Sequence, residues 1–221
     1  MDFIFMLTCD DRTVEECLDL VDELADLKLR HIGFKDIGVS PDTVAELNRR
    51  IKANGATSYL EVVSLSPEAC RAAGQRAREI GVDCLLGGAD PEGMQEAIAG
   101  TGIRFFPFAG VPEGHPTQLK GDAARIAEDC RRSEALGCAG VDLLAYRAVE
   151  APPLDLVREA RATLRGTLIV AGSIDSPRRI ADLAAAGVDA FTIGTALFQR
   201  RFAPGRALLR DQLAEVMAAC G

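Results

Sequence analysis

The chain has 221 residues, of which 48% are hydrophobic and 26% charged, with a formal net charge of −8. This length can bury a substantial core and suits one α/β barrel domain. The net negative charge argues against nucleic acid and acidic membranes as partners. Any anionic ligand must then be bound by local hydrogen-bond donors and not by a general positive field. Because no apolar run approaches the roughly 20 residues of a membrane span, and MDFIFMLTCDD lacks the basic start and long apolar centre of a signal peptide, we expect a cytoplasmic protein.

Short apolar runs alternate with helical patterns along the chain. Between the runs, apolar residues recur at spacings of three and four, and several segments open on Ser, Thr or Asp and close on Gly, as helices do. Eight such units predict an α/β fold, a closed parallel (β/α)8 TIM barrel with a single domain over 1–221. The predicted strands are 3–8, 31–36, 57–63, 83–88, 104–109, 140–146, 167–172 and 190–195.

The longest irregular stretch, residues 110–122, follows the fifth run. It contains two Pro and three Gly, so it cannot be helix or strand throughout. Loops of this size are often lids or binding loops, and in a barrel this one would lie on the active face. His115 could reach the site only if the loop folds over it, so its role stays open. His31 begins strand two, far from that face, and is assigned a structural role.

Side chains alternate along a barrel strand between the interior and the surrounding helices. Assigning the bulky apolar residues to the helices leaves Lys35, Glu61 and Asp142 inside, on strands two, three and six. Burying these charges is costly unless they pair, hydrogen-bond or meet a ligand. We therefore predict that they form the catalytic centre.

The first strand leaves the side-chain parity ambiguous. Either Thr8 with Asp10 or Cys9 with Asp11 faces the site, and Asp10 is included in the candidate set as a second proton donor or acceptor. A metal is not expected, because the seven cysteines form no CxxC pair and no histidine lies at a strand end with ligand spacing. A weak Mg²⁺ between Glu61, Asp142 and a substrate oxygen stays open.

Two interpretations of the interior lysine compete. In the first, Lys35 and Glu61 form an ion pair that plugs the barrel without chemistry. In the second, neighbouring groups tune Lys35 to attack a carbonyl, exchange a proton or stabilise an enolate. A Schiff base would indicate an aldolase or a dehydrating condensation, and an ammonium would indicate an isomerase or a decarboxylase. The sequence leaves both routes open.

The last two strands end in the same way, in Gly followed by a small hydroxyl residue. These ends are Gly172-Ser173 and Gly194-Thr195. Neighbouring parallel strands end side by side, so the backbone N–H groups of the two turns could share one anion.

The segment VAGSIDSPRRIADLAAAGVDAFTIGTALF, residues 170–198, resembles the tail of the ribulose-phosphate-binding barrels. This group includes phosphoribosyl isomerases, ribulose-phosphate 3-epimerase and the orotidine-monophosphate decarboxylase group. The resemblance implies a phosphate cradle formed by Gly172, Ser173, Gly194 and Thr195. It does not specify the reaction, because Gly33 stands where the epimerases and the decarboxylase group carry an Asp.

The leading hypothesis is a cofactor-independent lyase or isomerase that acts on a small phosphorylated sugar-like carbonyl compound, with Lys35 as its central group. The alternative is a non-catalytic phosphometabolite-binding barrel that serves as a partner or regulatory subunit. A site for flavin mononucleotide ranks last, because only 5% of residues are aromatic and Trp is absent. Phe198, Phe202 and the C-terminal segment could supply the packing surface of a homo-oligomer.

Overall fold

The computed structural model describes residues 1–114 and 117–220, and eight parallel strands form its main sheet. Each of the eight predicted runs overlaps one of these strands, and the predicted barrel is confirmed. The strands, numbered one to eight below, are Asp2–Met6, His31–Lys35, Thr57–Val62, Cys84–Gly87, Arg104–Phe106, Gly140–Leu143, Thr167–Val170 and Ala190–Ile193.

Helices follow the strands and begin at the predicted signals. The Ser40, Ser66 and Asp122 side chains each accept a hydrogen bond from the N–H three residues later, which caps the helix. None of the described helices is long and apolar enough to cross a membrane. The α-helices are Cys17–Glu23, Pro41–Ala53, Pro67–Ile80, Pro91–Ala97, Ala123–Ala135, Pro153–Thr163, Pro177–Ala185, Thr195–Phe198 and Leu209–Ala219, and the 3₁₀ turns are Ala25–Leu27 and Ala145–Arg147.

The barrel closes between strands five and six through separate hydrogen bonds. The Ala139 N–H donates to the Phe105 carbonyl at 2.9 Å. Further along, the Asp142 N–H donates to the Pro107 carbonyl at 2.9 Å, and the Ala109 N–H donates to the Asp142 carbonyl at 3.0 Å. Pro107 has no N–H to donate, which explains why the regular ladder is interrupted here.

The strands separate two apolar layers. Phe34 and Leu60 pack in the larger cluster with residues of the helices, as the alternation predicts. Because Lys35 and Glu61 have the opposite parity, they lie on the interior side, above the inner cluster. That inner cluster contains Ile4, Met6, Tyr59, Cys84, Leu86, Phe106, Ile169 and Ala190.

Two hairpins extend the carboxyl-terminal face of the barrel. Thr8–Cys9 pairs with Arg12–Thr13 after strand one, and Val111–Glu113 pairs with Gln118–Lys120 after strand five. The sequence did not predict the first hairpin, and the second occupies much of the stretch expected to be irregular. His115 lies outside the described residues.

Candidate active site

A cavity of about 620 Å³ opens at the carboxyl-terminal ends of the strands, where barrels build their sites. It reaches both the charged centre and the two turns of the predicted phosphate cradle. Two arginines that sequence reasoning did not single out, Arg147 and Arg201, also border it. The predicted residues that line the cavity are Asp10, Lys35, Glu61, Gly172, Ser173, Gly194 and Thr195.

Lys35 lies at the centre of a buried ion-pair cluster. Its Nζ is 2.8 Å from Asp11 Oδ1 and 3.1 Å from Glu61 Oε1, and its side chain is only 5% exposed. Burial opposes the charged form, but the carboxylates of Glu61 and Asp11 raise the pKa of Lys35 above its ordinary value. The side chain is therefore an ammonium. One of its three N–H donors is hydrogen-bonded to Asp11, Glu61 lies at ion-pair distance, and donor capacity remains for a ligand.

Asp11 owes its position to a tight turn. Asp10 and Asp11 have φ angles of 48° and 61° and join the two short strands of the first hairpin. A turn with two positive φ angles matches the twist of a hairpin, but it usually contains Gly or Asn. Each non-glycine residue in this conformation costs about 1–2 kcal/mol. The contacts of Asp11 with buried cations offset that cost.

Arg147 completes the cluster from the 3₁₀ turn after strand six. Its Nη1 and Nη2 donate to the two carboxylate oxygens of Asp11 at 2.9 and 3.0 Å, a bidentate arrangement. Burial would raise the pKa of Asp11, but the hydrogen bonds from Arg147 and the charge of Lys35 hold it well below its usual range. Asp11 is therefore a carboxylate across the whole neutral range.

The structure distinguishes the two strand-one acids that the sequence left open. Asp11, and not Asp10, contacts Lys35, because the turn breaks the alternation on which the prediction depended. Asp10 is exposed at the rim, where its carboxylate accepts a hydrogen bond from Gln199 Nε2 at 2.9 Å. Its N–H donates to Thr195 Oγ1 at 3.0 Å, which ties the turn to the end of strand eight.

Asp142 is inside the barrel, as predicted, but it does not line the cavity. It is fully buried, and neither carboxyl oxygen has a hydrogen-bond partner among the described residues. Burial, and then the charge of Glu61, raise the pKa of Asp142 well above its usual range, so its neutral form is favoured.

The glycines of the two turns are required by close neighbours. A Cβ on Gly172, which has a φ of 77°, would collide with the side chain of Arg147. A Cβ on Gly194 would lie 2.5 Å from Thr8 Oγ1 and 2.7 Å from the Thr8 carbonyl oxygen. Packing alone therefore explains both glycines, and replacing Gly194 by a larger residue would disturb the fold as well as any ligand.

The part of the chain that the structure describes contains no group of three or more His, Cys, Asp or Glu side chains arranged to hold a metal ion. All seven cysteines are free thiols, and the four most buried belong to apolar or strand packing. The ion-pair cluster of the site consists of buried Lys35, half-buried Arg147 and the carboxylates of Asp11 and Glu61.

The structure is a closed parallel (β/α)8 barrel, and solved structures from the group that the sequence resembles share this fold. Orotidine 5'-phosphate decarboxylase from Pyrococcus horikoshii superposes with a TM-score of 0.70 and 13% identity, over 99% of this chain and 98% of that one. A mutant tryptophan synthase α-subunit from Pyrococcus furiosus gives 0.63 and 15% identity, with 98% of each chain covered.

A third similar structure, the Amycolatopsis orientalis BexX/CysO complex, gives a TM-score of 0.65 and 16% identity over 99% of this chain and 87% of that one. No family model matches the sequence. No curated protein matches it either. At these identities the likeness shows the fold alone, and the chemistry must be argued from the site.

Proposed function

We propose that this protein is a cofactor-independent lyase or isomerase that acts on a small phosphorylated, sugar-like carbonyl compound. The supporting observation is the Lys35 ammonium, held by Asp11 and Glu61 at the floor of a cavity that reaches both strand-end turns. Such a cluster has a high desolvation cost, and apolar residues of similar volume fill an interior at least as stably. A role in chemistry accounts for that cost.

The phosphate group of the ligand binds, in this proposal, at Gly172-Ser173 and Gly194-Thr195. Backbone N–H groups of such turns bind anions without a positive field over the whole protein. Arg201 borders the same part of the cavity and forms no ion pair with any residue of 1–114 or 117–220, so its guanidinium is available. These features together suit a phosphate monoester at the edge of the cavity.

The charge state of Lys35 favours one of the two routes left open by the sequence. A raised pKa leaves little free amine to attack a carbonyl, so a Schiff base is disfavoured. The ammonium instead stabilises the oxyanion of an enediolate, while the Glu61 carboxylate removes or returns the proton on the adjacent carbon. Asp11 keeps Lys35 charged. This chemistry is that of an isomerase or a decarboxylase-type lyase.

A second function is supported by the same ion pairs. Lys35 already has two carboxylate partners, which also suits a barrel that binds a phosphometabolite and acts as a partner or regulatory subunit. The cytoplasmic location and a homo-oligomeric state remain predictions under either function.

The test is proton exchange on a panel of phosphorylated ketoses and aldoses in D₂O, followed by NMR. We expect the wild-type protein to exchange the proton next to the carbonyl of at least one compound, and Glu61→Gln to abolish exchange without abolishing binding. Lys52→Met is a matched control for Lys35→Met, because Lys52 pairs with Asp83 away from the cavity. Tight binding with neither exchange nor turnover would favour the binding barrel, and a borohydride-trapped adduct on Lys35 would restore the Schiff-base route.

A further inference from the structure

Arg147 stands between the two parts of the site. On one side its terminal nitrogens hold both oxygens of Asp11, at 2.9 and 3.0 Å. On the other side Nε, Cδ and Cζ lie so close to Gly172 that a Cβ there would overlap them. The glycine that opens the predicted phosphate turn is thus the residue that admits the guanidinium.

The guanidinium retains hydrogen-bonding capacity toward the cavity. An arginine has five N–H donors, and Asp11 accepts from two of them. The Arg147 side chain is 19% exposed and borders the cavity together with Gly172 and Ser173. Its Nε is the nitrogen nearest Gly172 and has no protein acceptor among the described residues.

We propose that Arg147 is a phosphate ligand of the cradle and, at the same time, the positioning residue of Asp11. This inference rests on the proposed function, since it assumes a phosphate at the Gly172-Ser173 turn. The Nε–H group donates to a phosphate oxygen while Nη1 and Nη2 remain hydrogen-bonded to the Asp11 carboxylate. One side chain thus contacts both the phosphate and the partner of Lys35. Charge-assisted contacts of this kind are short and strong. The preferred ligand is then a phosphate monoester whose carbonyl reaches Lys35.

The direct experiment uses ¹⁵N-labelled wild-type protein titrated with inorganic phosphate. The Nε–H resonance of Arg147 is assigned by its loss in Arg147→Lys. We expect this resonance to shift with the same saturation curve as the backbone N–H resonances of Gly172 and Ser173. Because the titration is made on the wild-type protein, it does not depend on the folding of a variant.

Variants supply the energetic part of the test. Arg147→Met should weaken phosphate binding roughly ten- to hundredfold, the loss expected for one charged hydrogen bond. Arg147→Lys should recover part of it through its charge. The positioning role is read from the ¹³C titration of the Asp11 carboxyl, whose depressed pKa should rise in Arg147→Met. Arg158→Met is the matched control, because Arg158 is exposed and pairs only with Asp155.

The outcomes separate the two proposals. If phosphate saturates the N–H groups of Gly172 and Ser173 but leaves the Arg147 resonance and the Arg147→Met affinity unchanged, the inference about Arg147 is wrong and the cradle stands. If wild-type protein binds no phosphate at these turns, the cradle fails and the inference falls with it. An unchanged Asp11 titration in Arg147→Met would overturn the positioning role alone.

Discussion

The two ends of the barrel interior carry polar clusters of opposite character. At the amino-terminal end, the Tyr59 hydroxyl lies 3.1 Å from His31 Nδ1, and Arg104 Nη2 donates to Cys84 Sγ at 3.1 Å. Burial lowers the pKa of His31, raises that of Tyr59 and raises that of Cys84 to about 11, so three of the four groups are held neutral. These four side chains lie at the amino-terminal end of the barrel interior.

At the carboxyl-terminal end, the pKa shifts of the paired groups favour charge. The pKa of Lys35 is raised and that of Asp11 is lowered, although burial acts against both shifts. This cluster borders the cavity that contains the two strand-end turns. At the carboxyl-terminal end the paired groups therefore keep their charges beside the cavity, whereas at the amino-terminal end burial keeps His31, Tyr59 and Cys84 neutral and only Arg104 is charged.

The largest effect should come from removing the central charge. Lys35→Met should lower turnover by roughly 10²–10⁴-fold, the usual contribution of a positioned acid or base. Stability should change little, because an apolar side chain of similar length fills the site and Asp11 keeps its bidentate contact with Arg147. Turnover and urea unfolding on the same preparation provide the measurement. An active variant that has lost about 3–5 kcal/mol would instead identify a structural ion pair.

The next effect separates two adjacent acids. Asp11→Asn should destabilise the protein by about 3–5 kcal/mol, because it removes the carboxylate that pairs with buried Lys35 and half-buried Arg147. The matched change Asp10→Asn should stay within about 0.5 kcal/mol, since that side chain is exposed. Chemical unfolding of the two variants side by side tests this. Equal losses would show that the turn, and not the ion pairs, is the source of stability.

The contrast between these acids also shows where sequence reasoning succeeds and fails. Lys35 and Glu61 could be predicted because strict alternation holds within a strand, and the eight runs could be predicted because apolar periodicity reports burial. Asp11 could not be selected, because a turn with positive φ follows the strand and alternation ends there. The sequence gives no signal of that turn stronger than the Asp-Asp pair itself.

Arg147 and Asp142 illustrate two further limits. Arg147 was missed because it lies in a 3₁₀ turn beyond strand six, and the only trace of it is the glycine at position 172, which could equally serve a ligand. The alternation correctly predicted that Asp142 lies inside the barrel, but it did not show that the residue lies below the cavity. It pairs in register with Ile169 of the inner apolar cluster, below the cavity, and alternation carries no information about depth.

Asp142 provides a test of how the interior below the cavity responds to pH. Because its folded pKa is raised above 3.8, the folded state holds the proton more tightly, so this group makes stability fall as pH rises above 3.8. Asp142→Asn mimics the neutral acid and removes that loss, so the variant should gain stability relative to wild type as pH rises. Urea unfolding across the acid-to-neutral range measures the difference. Parallel curves would mean that Asp142 is ionised in the folded protein.

The smallest effect on stability comes from His31 in the cluster at the amino-terminal end of the barrel. Its pH dependence has the opposite sign to that of Asp142. Burial lowers the pKa of His31 below 6.5, and the nearby Arg104 acts in the same direction. Below pH 6.5 the unfolded chain therefore takes up a proton that the folded protein resists, so the free energy of unfolding falls as pH falls. His31→Gln should remove this slope.

Tyr59→Phe is the control that separates titration from the hydrogen bond between these rings. It should cost about 1 kcal/mol at every pH, because it deletes one neutral hydrogen bond and leaves the histidine able to titrate. The free energy of unfolding, plotted against pH, should therefore lose its slope in His31→Gln. In Tyr59→Phe the slope should match that of wild type, and the free energy should be lower by the same amount at every pH. If His31→Gln keeps the wild-type slope of unfolding free energy against pH, burial does not hold His31 neutral. The contrast between the two ends of the barrel is then lost.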